Sequence, residues 1–379
     1  MAWLPRLHLQ CLCVALMLAS VAEAGVDQIR PHRLSVSEGQ PAEVELLAVP
    51  EALRQQLHAS VRPNPDPARR LQALADFLLK PEGLGLRYRH DATLSVAEAF
   101  AQREGNCLTF TLVTVALARE LGLQAYGQDA DAVSWYQEGG SVYRTLHVNA
   151  GVRIEGRRFS VDIASNQVIT REPPRPIADA RLLAHFHSNR AAELLAEGAL
   201  KAALAHARQA LAIDPQHAAA HSNAGVIEAR LGNPNAAERA YLSALAIEPD
   251  HAGALFNLGE LYVRERRGSL ASDMRRRLAQ AQQRDPFHHF LLGLQREAAG
   301  DAAAAVDHLR RAIRLHRHDH RFHFALARSW ARLGEMDRAA RALQAARSTS
   351  EGVEHSRYQA KLESLRRHGS QTLQAKRSG

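Results

Sequence analysis

Cysteine is the scarcest chemistry in this chain: three thiols in 379 residues, two of them, Cys11 and Cys13, inside an apolar stretch at its start. So few excludes a small disulfide-stapled scaffold. Beyond residue 24 no run is long and apolar enough to span a bilayer, which excludes a polytopic membrane protein. A basic stripe interleaved with aromatics is also missing. The formal charge is +8, but lysine and arginine are scattered through helical patterns with acidic residues between them. That argues against nucleic-acid recognition and leaves affinity for acidic surfaces as an unspecific property. With 46% hydrophobic and 23% charged residues the chain reads as globular, and its length suits two or three domains.

Residues 1–24 stand apart. Arg6 supplies a positive start, Cys11 to Ala22 an apolar core, and Ala22-Glu23-Ala24 a cleavage signature. The expectation is a cleaved secretory leader, a periplasmic or secreted protein, and no stable membrane insertion after cleavage. The mature chain then keeps one thiol, Cys107, and forms no internal disulfide. In an oxidising compartment a solitary thiol is either buried and inert or kept for its chemistry.

Cys107 follows a polar Gly105-Asn106 turn and opens an apolar helical pattern (Leu108, Leu112, Val115, Ala116, Leu121) closed by Gly122. At a helix N-terminus the dipole and unpaired N–H groups favour the thiolate. Upstream, residues 25–66 form an N-terminal extension with few periodic signals, ended by the turn Arg62–Pro67. A helix is predicted over Ala68–Leu79, a strand over Leu84–Arg89, and a short helix over Val96–Gln102, with Ser95 and Glu98 at capping-box spacing. Downstream the period switches to two. Gln124–Gln128 reads as a strand, Ser134–Gly140 as a loop, and Val142–Ile154 with Arg157–Ile163 as a hairpin about Glu155-Gly156.

If Glu155-Gly156 is a two-residue turn, Val152 faces Phe159, Val148 faces Ile163, and His147 faces Ala164 and lies diagonal to Asp162. The histidine and the aspartate then share one sheet face, with diagonal neighbours about 7–8 Å apart. A bulge near Gly151 would spoil that register. A thiol, an imidazole to deprotonate it and a carboxylate to orient the imidazole are the parts of nucleophilic catalysis. Singly, His147 reads as a structural histidine and Asp162 as a solvated strand residue; jointly, in this order, they point to a site.

Gly105-Asn-Cys107 with its helix, His147-Val-Asn149 in one strand and Val161-Asp162 in the next resemble the transglutaminase-like superfamily. So do Leu86-Arg-Tyr-Arg89, Ser95–Phe100 and Leu117–Leu123; the resemblance spans roughly residues 70–170. It implies a papain-like α+β fold with Cys107 as nucleophile, His147 as base and Asp162 as orienting acid. It implies a chemistry class and not a substrate, since the superfamily includes cross-linking enzymes, peptidases, amidases and members with no known reaction. The Cys107 N–H is placed to serve as an oxyanion donor, and Trp135 is a candidate to line the cleft or simply to pack. The acidic calcium loops of animal transglutaminases are absent, and no cofactor is called for.

Arg171–Pro176 reads as a proline-rich linker, within a boundary segment 171–181. Beyond it Pro215 and Pro249 lie 34 residues apart, each after an acidic residue, and Asp285-Pro286 and Asp319 continue the series. Counted from Ala218, Gly225, Ala237, Tyr241, Ala244 and Pro249 fall at positions 8, 20, 24, 27 and 32, which resembles the tetratricopeptide (TPR) repeat. About five repeats fit between 182 and 350, enough for a solenoid. The resemblance implies a groove for a protein or peptide partner; a spacer or self-association surface is the alternative. Residues 351–379 form a basic end. His316, His318, His320 and His323 lie among arginines without a supporting cysteine or second carboxylate, so no closed metal site is expected.

The expected architecture is an α+β papain-like, transglutaminase-like domain (67–170) followed by an all-α TPR solenoid (182–350). The expected function is exported, cysteine-dependent acyl transfer, amidase or peptidase before cross-linker, with the repeats docking a protein substrate or partner. The alternative is a catalytically silent TPR scaffold in the cell envelope. A thiol redox sensor is disfavoured because no resolving cysteine exists.

Overall fold

The computed structural model describes residues 43–61, 63–138, 141–162, 175–350 and 354–363, with the backbone alone for 43–44, 130–138 and 141–147. The leader expected over 1–24 lies outside the described residues, as does the basic end beyond 363. Within the segment expected to carry few periodic signals, α1 (Glu43–Leu46) and α2 (Glu51–Ser60) form. Leu53 and Leu57, one helical turn apart, are fully buried in α2, an amphipathic stripe only two residues long.

α3 (Pro67–Leu79) starts one residue ahead of expectation, because Pro67 suits the first helical position and Asp66 caps Ala68 N at 2.8 Å. The strand expected over 84–89 shrinks to β1 (Arg87–Tyr88), since its parallel partner β2 (Glu104–Gly105) is equally short. Between them α4 (Val96–Gln102) carries the Ser95/Glu98 capping box. α5 (Cys107–Glu120) is buried on nearly every side from Leu108 to Ala118, the signature of a central helix. Gly122 follows in the left-handed region, at φ 69°. Arg54 reaches across from α2 to Glu120 at 3.0 and 3.1 Å, so α2 belongs to the same layer.

The sheet comprises β3 (Gln124–Glu138), β4 (Ser141–Ile154), β5 (Arg157–Val161) and β6 (Arg175–Ile177), in the antiparallel order β5-β4-β3-β6. Glu155 and Gly156 both have positive φ, 48° and 76°, as a two-residue primed turn requires. The register is therefore the expected one where it is described: Ile154 opposes Arg157, Val152 opposes Phe159, and Ala150 opposes Val161. The pairs expected at Ile163 and Ala164 lie outside the described residues. Two readings are corrected, the loop and part of the linker. Ser134–Glu138 is strand, not loop, paired with Ser141–Thr145. The bulge that would have spoiled the β4–β5 register near Gly151 is not there, Gly151 opposing Ser160 as expected, and β3 carries one that was not foreseen, between Ala130 and Val133. Of the expected linker, residues 175–177 form an edge strand, a position that tolerates Pro176.

The helical half runs through α6 (Asp179–Ala196), α7 (Leu200–Ile213), α8 (Ala218–Arg230), α9 (Pro234–Ile247) and α10 (Ala252–Arg264). It continues with α11 (Gly268–Arg284), α12 (Pro286–Ala298), α13 (Ala302–Leu315), α14 (His320–Arg332) and α15 (Met336–Ser348). These pack as five consecutive pairs among the described residues, a TPR-like helical solenoid. The residues that punctuate the repeat have a physical task. His217 and His251 each accept the N–H three residues on at 3.1 Å, and Asp285 and Asp319 accept those of Phe287 and Arg321, capping the first helix of the second to fifth pairs. Residues 354–363 add a further helical stretch whose Tyr358 and Leu362 are buried with the last pair.

Small residues seat the pairs. A Cβ on Gly225 would lie 2.5 Å from the Tyr241 ring, so α8 and α9 approach as closely as they do because that position has none. Gly225→Val is expected to force the two helices apart at a cost of about 2–3 kcal/mol. A lowered thermal midpoint in a circular dichroism melt checks this, and an unchanged one counts against it.

Candidate functional site

Cys107 is the first residue of α5 and is half-buried. Asn106 sets that helix start. Its Oδ1 accepts Thr109 N at 3.1 Å, its Nδ2 donates to Thr93 Oγ1 at 2.6 Å, and its own N–H bonds Ala92 O at 2.9 Å. Thr109 completes the lock, donating to Ala92 O at 2.9 Å and accepting from Leu94 N at 2.8 Å. One turn on, Thr111 Oγ1 donates to Cys107 O at 2.8 Å and to Val148 O at 3.2 Å, tying the helix start to β4. The polar residues around the thiol thus fix a backbone that would otherwise leave buried groups unpaired.

A narrow cleft opens beside the thiol, lined by Cys107, Thr111 and Thr114 from α5 and by Asn149, Val161 and Asp162 from the sheet. Asn149 Nδ2 donates to Asp162 Oδ2 at 3.1 Å, as opposed residues on one face should. His147 sits two residues before Asn149 in β4, paired with Ala130, so strand alternation puts it on the Asn149–Asp162 face. Its side chain, like that of Trp135, lies outside the described residues. The fold therefore brings Cys107 and Asp162 to one cleft and sets the His147 backbone next to it. Arg321, ion-paired with Asp319 at the start of α14, lies within electrostatic reach of Asp162. The last helix pair thus comes back toward the cleft.

Sequence reasoning passed over Asn149, although the hairpin register that placed Asp162 also places Asn149 opposite it.

A second polar cluster joins the sheet to the first repeats. His217 Nδ1 accepts the Ala220 N–H, so its proton is on Nε2, which donates to His185 Nδ1 at 3.0 Å. His185 Nε2 in turn donates to Asp129 Oδ1 at 3.0 Å. Both imidazoles are buried, and the chain Asp129–His185–His217 crosses from β3 through α6 to α8. Beside it His187 and His206 meet through Nδ1 at 2.9 Å. Burial, then the charge on His206, pulls the His187 pKa down to about 4. In the histidine-rich stretch, His320 bonds Tyr358 Oη at 2.8 Å and His323 bonds Arg317 O at 2.8 Å. No three metal-ligating side chains converge among the described residues.

The β3–β4 hairpin runs beside the first helices of three repeats: β4 lies against α10 and α8, and β3 approaches α12. No described helix is long and apolar enough to cross a membrane.

No protein-family model matches the chain, and no curated protein does. Solved structures similar to it include PilF of Pseudomonas aeruginosa (22% identity, 53% of this chain and 93% of that one, TM-score 0.27). They also include YrrB, described as a TPR protein with an unusual peptide-binding site (20%, 44% and 86%, TM-score 0.25). A third is MamA of Desulfovibrio magneticus (19%, 44% and 94%, TM-score 0.25). At this distance the repeat assignment rests on the helix pairs and their caps.

Proposed function

We propose that this chain is a docking protein of the cell envelope, exported by its leader, whose repeats hold a protein or peptide partner. What supports the reading is the array itself: five helix pairs in register, the middle three each seated on a glycine that meets a large side chain of the paired helix, a design that presents a long surface of nearly constant spacing. The β3–β4 hairpin lies along α8, α10 and α12, so an extended partner shares that face with it. Val263, on the first helix of the third pair, is 42% exposed, and Leu242, on the second helix of the pair before, is 45% exposed. A photocrosslinker at Val263 is expected to capture the partner and one at Leu242 to miss it. Equal capture from both positions counts against the docking face.

One observation favours a second reading, a papain-like, transglutaminase-like acyl-transfer enzyme: Cys107 and Asp162 line a single cleft, with His147 in register beside them. In that reading the Cys107 thiolate attacks an acyl carbonyl. A sulfur–carbon bond forms, the carbon–nitrogen bond breaks, and the amine leaves with the proton His147 took from the thiol. Water, deprotonated by His147, then cleaves the thioester, releasing the acid and restoring the thiol. The imidazole stays oriented by Asp162 throughout.

The alkylation rate of Cys107 against pH decides between an active and a silent cleft. An activated thiol reacts well below pH 7 and loses that reactivity in His147→Ala. A thiol that titrates near the free value of about 8.5 in both leaves the scaffold.

A further inference from the structure

Asn149 carries an inference that rests on the acyl-transfer reading. It is 5% exposed and lines the same cleft as Cys107. Facing a carboxylate, its carboxamide must present nitrogen, and Nδ2 accordingly donates to Asp162. Oδ1 is then turned away from Asp162, buried, and without a hydrogen-bond donor among the described residues. The Thr111 hydroxyl, which also lines the cleft, is already committed to the carbonyls of Cys107 and Val148. A buried acceptor left open is a standing cost, and a ligand N–H entering the cleft removes it.

We propose that Asn149 reads what enters the cleft: Nδ2 holds Asp162 in place while Oδ1 accepts an N–H from the acyl donor. The site then favours carboxamides over esters of the same acyl group, because an ester brings no donor and leaves Oδ1 unpaired.

Two neutral alkylating probes of similar size test this on the full chain: iodoacetamide, which carries N–H donors, and methyl iodoacetate, which carries none. With either, the thiolate forms a sulfur–carbon bond and iodide leaves. The rate ratio of the first over the second at Cys107 is expected to exceed the ratio for glutathione by about fivefold, the worth of one hydrogen bond. In Asn149→Ala and in Asn149→Ser, each shown folded by its circular dichroism melt, the ratio falls to that of glutathione. A ratio that matches glutathione in the native chain, or that survives both substitutions, overturns the inference. If His147→Ala still suppresses alkylation in that case, the acyl-transfer reading stands alone. A thiol that behaves as glutathione with both probes and is indifferent to His147→Ala overturns the reading and the inference together.

Discussion

Acidification from pH 7 to pH 4 is expected to loosen the junction between the sheet and the first repeats, at a cost of about 3 kcal/mol from His187 alone. His187 is fully buried, and its pKa is drawn from 6.5 down to about 4 by burial and then by the charge on His206. Burial also lowers His206, with Arg190 adding to it, and lowers His217 well below its usual value, with His185 and Arg181 adding to that. The folded chain thus binds fewer protons than the unfolded one between about pH 6.5 and 4. The stabilisation is complete above pH 6.5 and is lost as the pH falls through that window.

The charged groups facing this cluster do little to offset the loss. Arg175 from β6 and Arg181 and Arg190 from α6 disfavour an imidazolium, as does His221 beside His217. Asp129 and Asp214 favour one, but Asp214 is paired with Arg181 and Asp129 already accepts from His185. Circular dichroism melts from pH 7 to 4, with hydrogen exchange followed in α6–α8, read the effect. His187→Phe should flatten the pH slope by about one proton. A thermal midpoint that is the same at pH 7 and pH 4.5 would sink the argument.

That junction was illegible in the sequence for a plain reason: Asp129, His185 and His217 come from three elements, and nothing local marks them as partners. What was legible is what local chemistry decides. The two-residue turn at Glu155-Gly156 forced the register of β4 on β5, and hence the meeting of Asn149 with Asp162. The Ser95/Glu98 box and the repeat caps did the same for their helices. The segment Ser134–Glu138 misled because its polar residues and the glycines after it look like a loop. Pairing with β4 supplies the strand instead, helped by Trp135 and Tyr136, which favour extended backbone. α2 was missed because two leucines make too faint a stripe; its burial is decided by α5, more than 50 residues on.

Removing both Arg328 and Arg332 is expected to cost about 3–5 kcal/mol, whereas Glu297→Leu costs far less. Glu297, in the last turn of α12, is 2% exposed, an unusual place for a carboxylate. Arg328 of α14 binds it through Nε at 3.1 Å and through a second, shorter contact. Arg332 approaches at 3.5 Å and donates to the Glu297 carbonyl at 2.7 Å. The group links the fourth helix pair to the fifth. Both arginines are about half exposed, so each keeps water as an alternative partner, while the carboxylate has none. Stripping the arginines strands a buried charge; replacing the glutamate with leucine removes the charge, keeps the backbone bond from Arg332 and leaves two solvated guanidinium groups. Urea melts of the three proteins measure the asymmetry, and hydrogen exchange in α14 and α15 reports whether the fifth pair has come loose. If Glu297→Leu destabilises as much as the double arginine variant, the ion pair itself holds the repeats together, and the desolvation argument for this site is wrong.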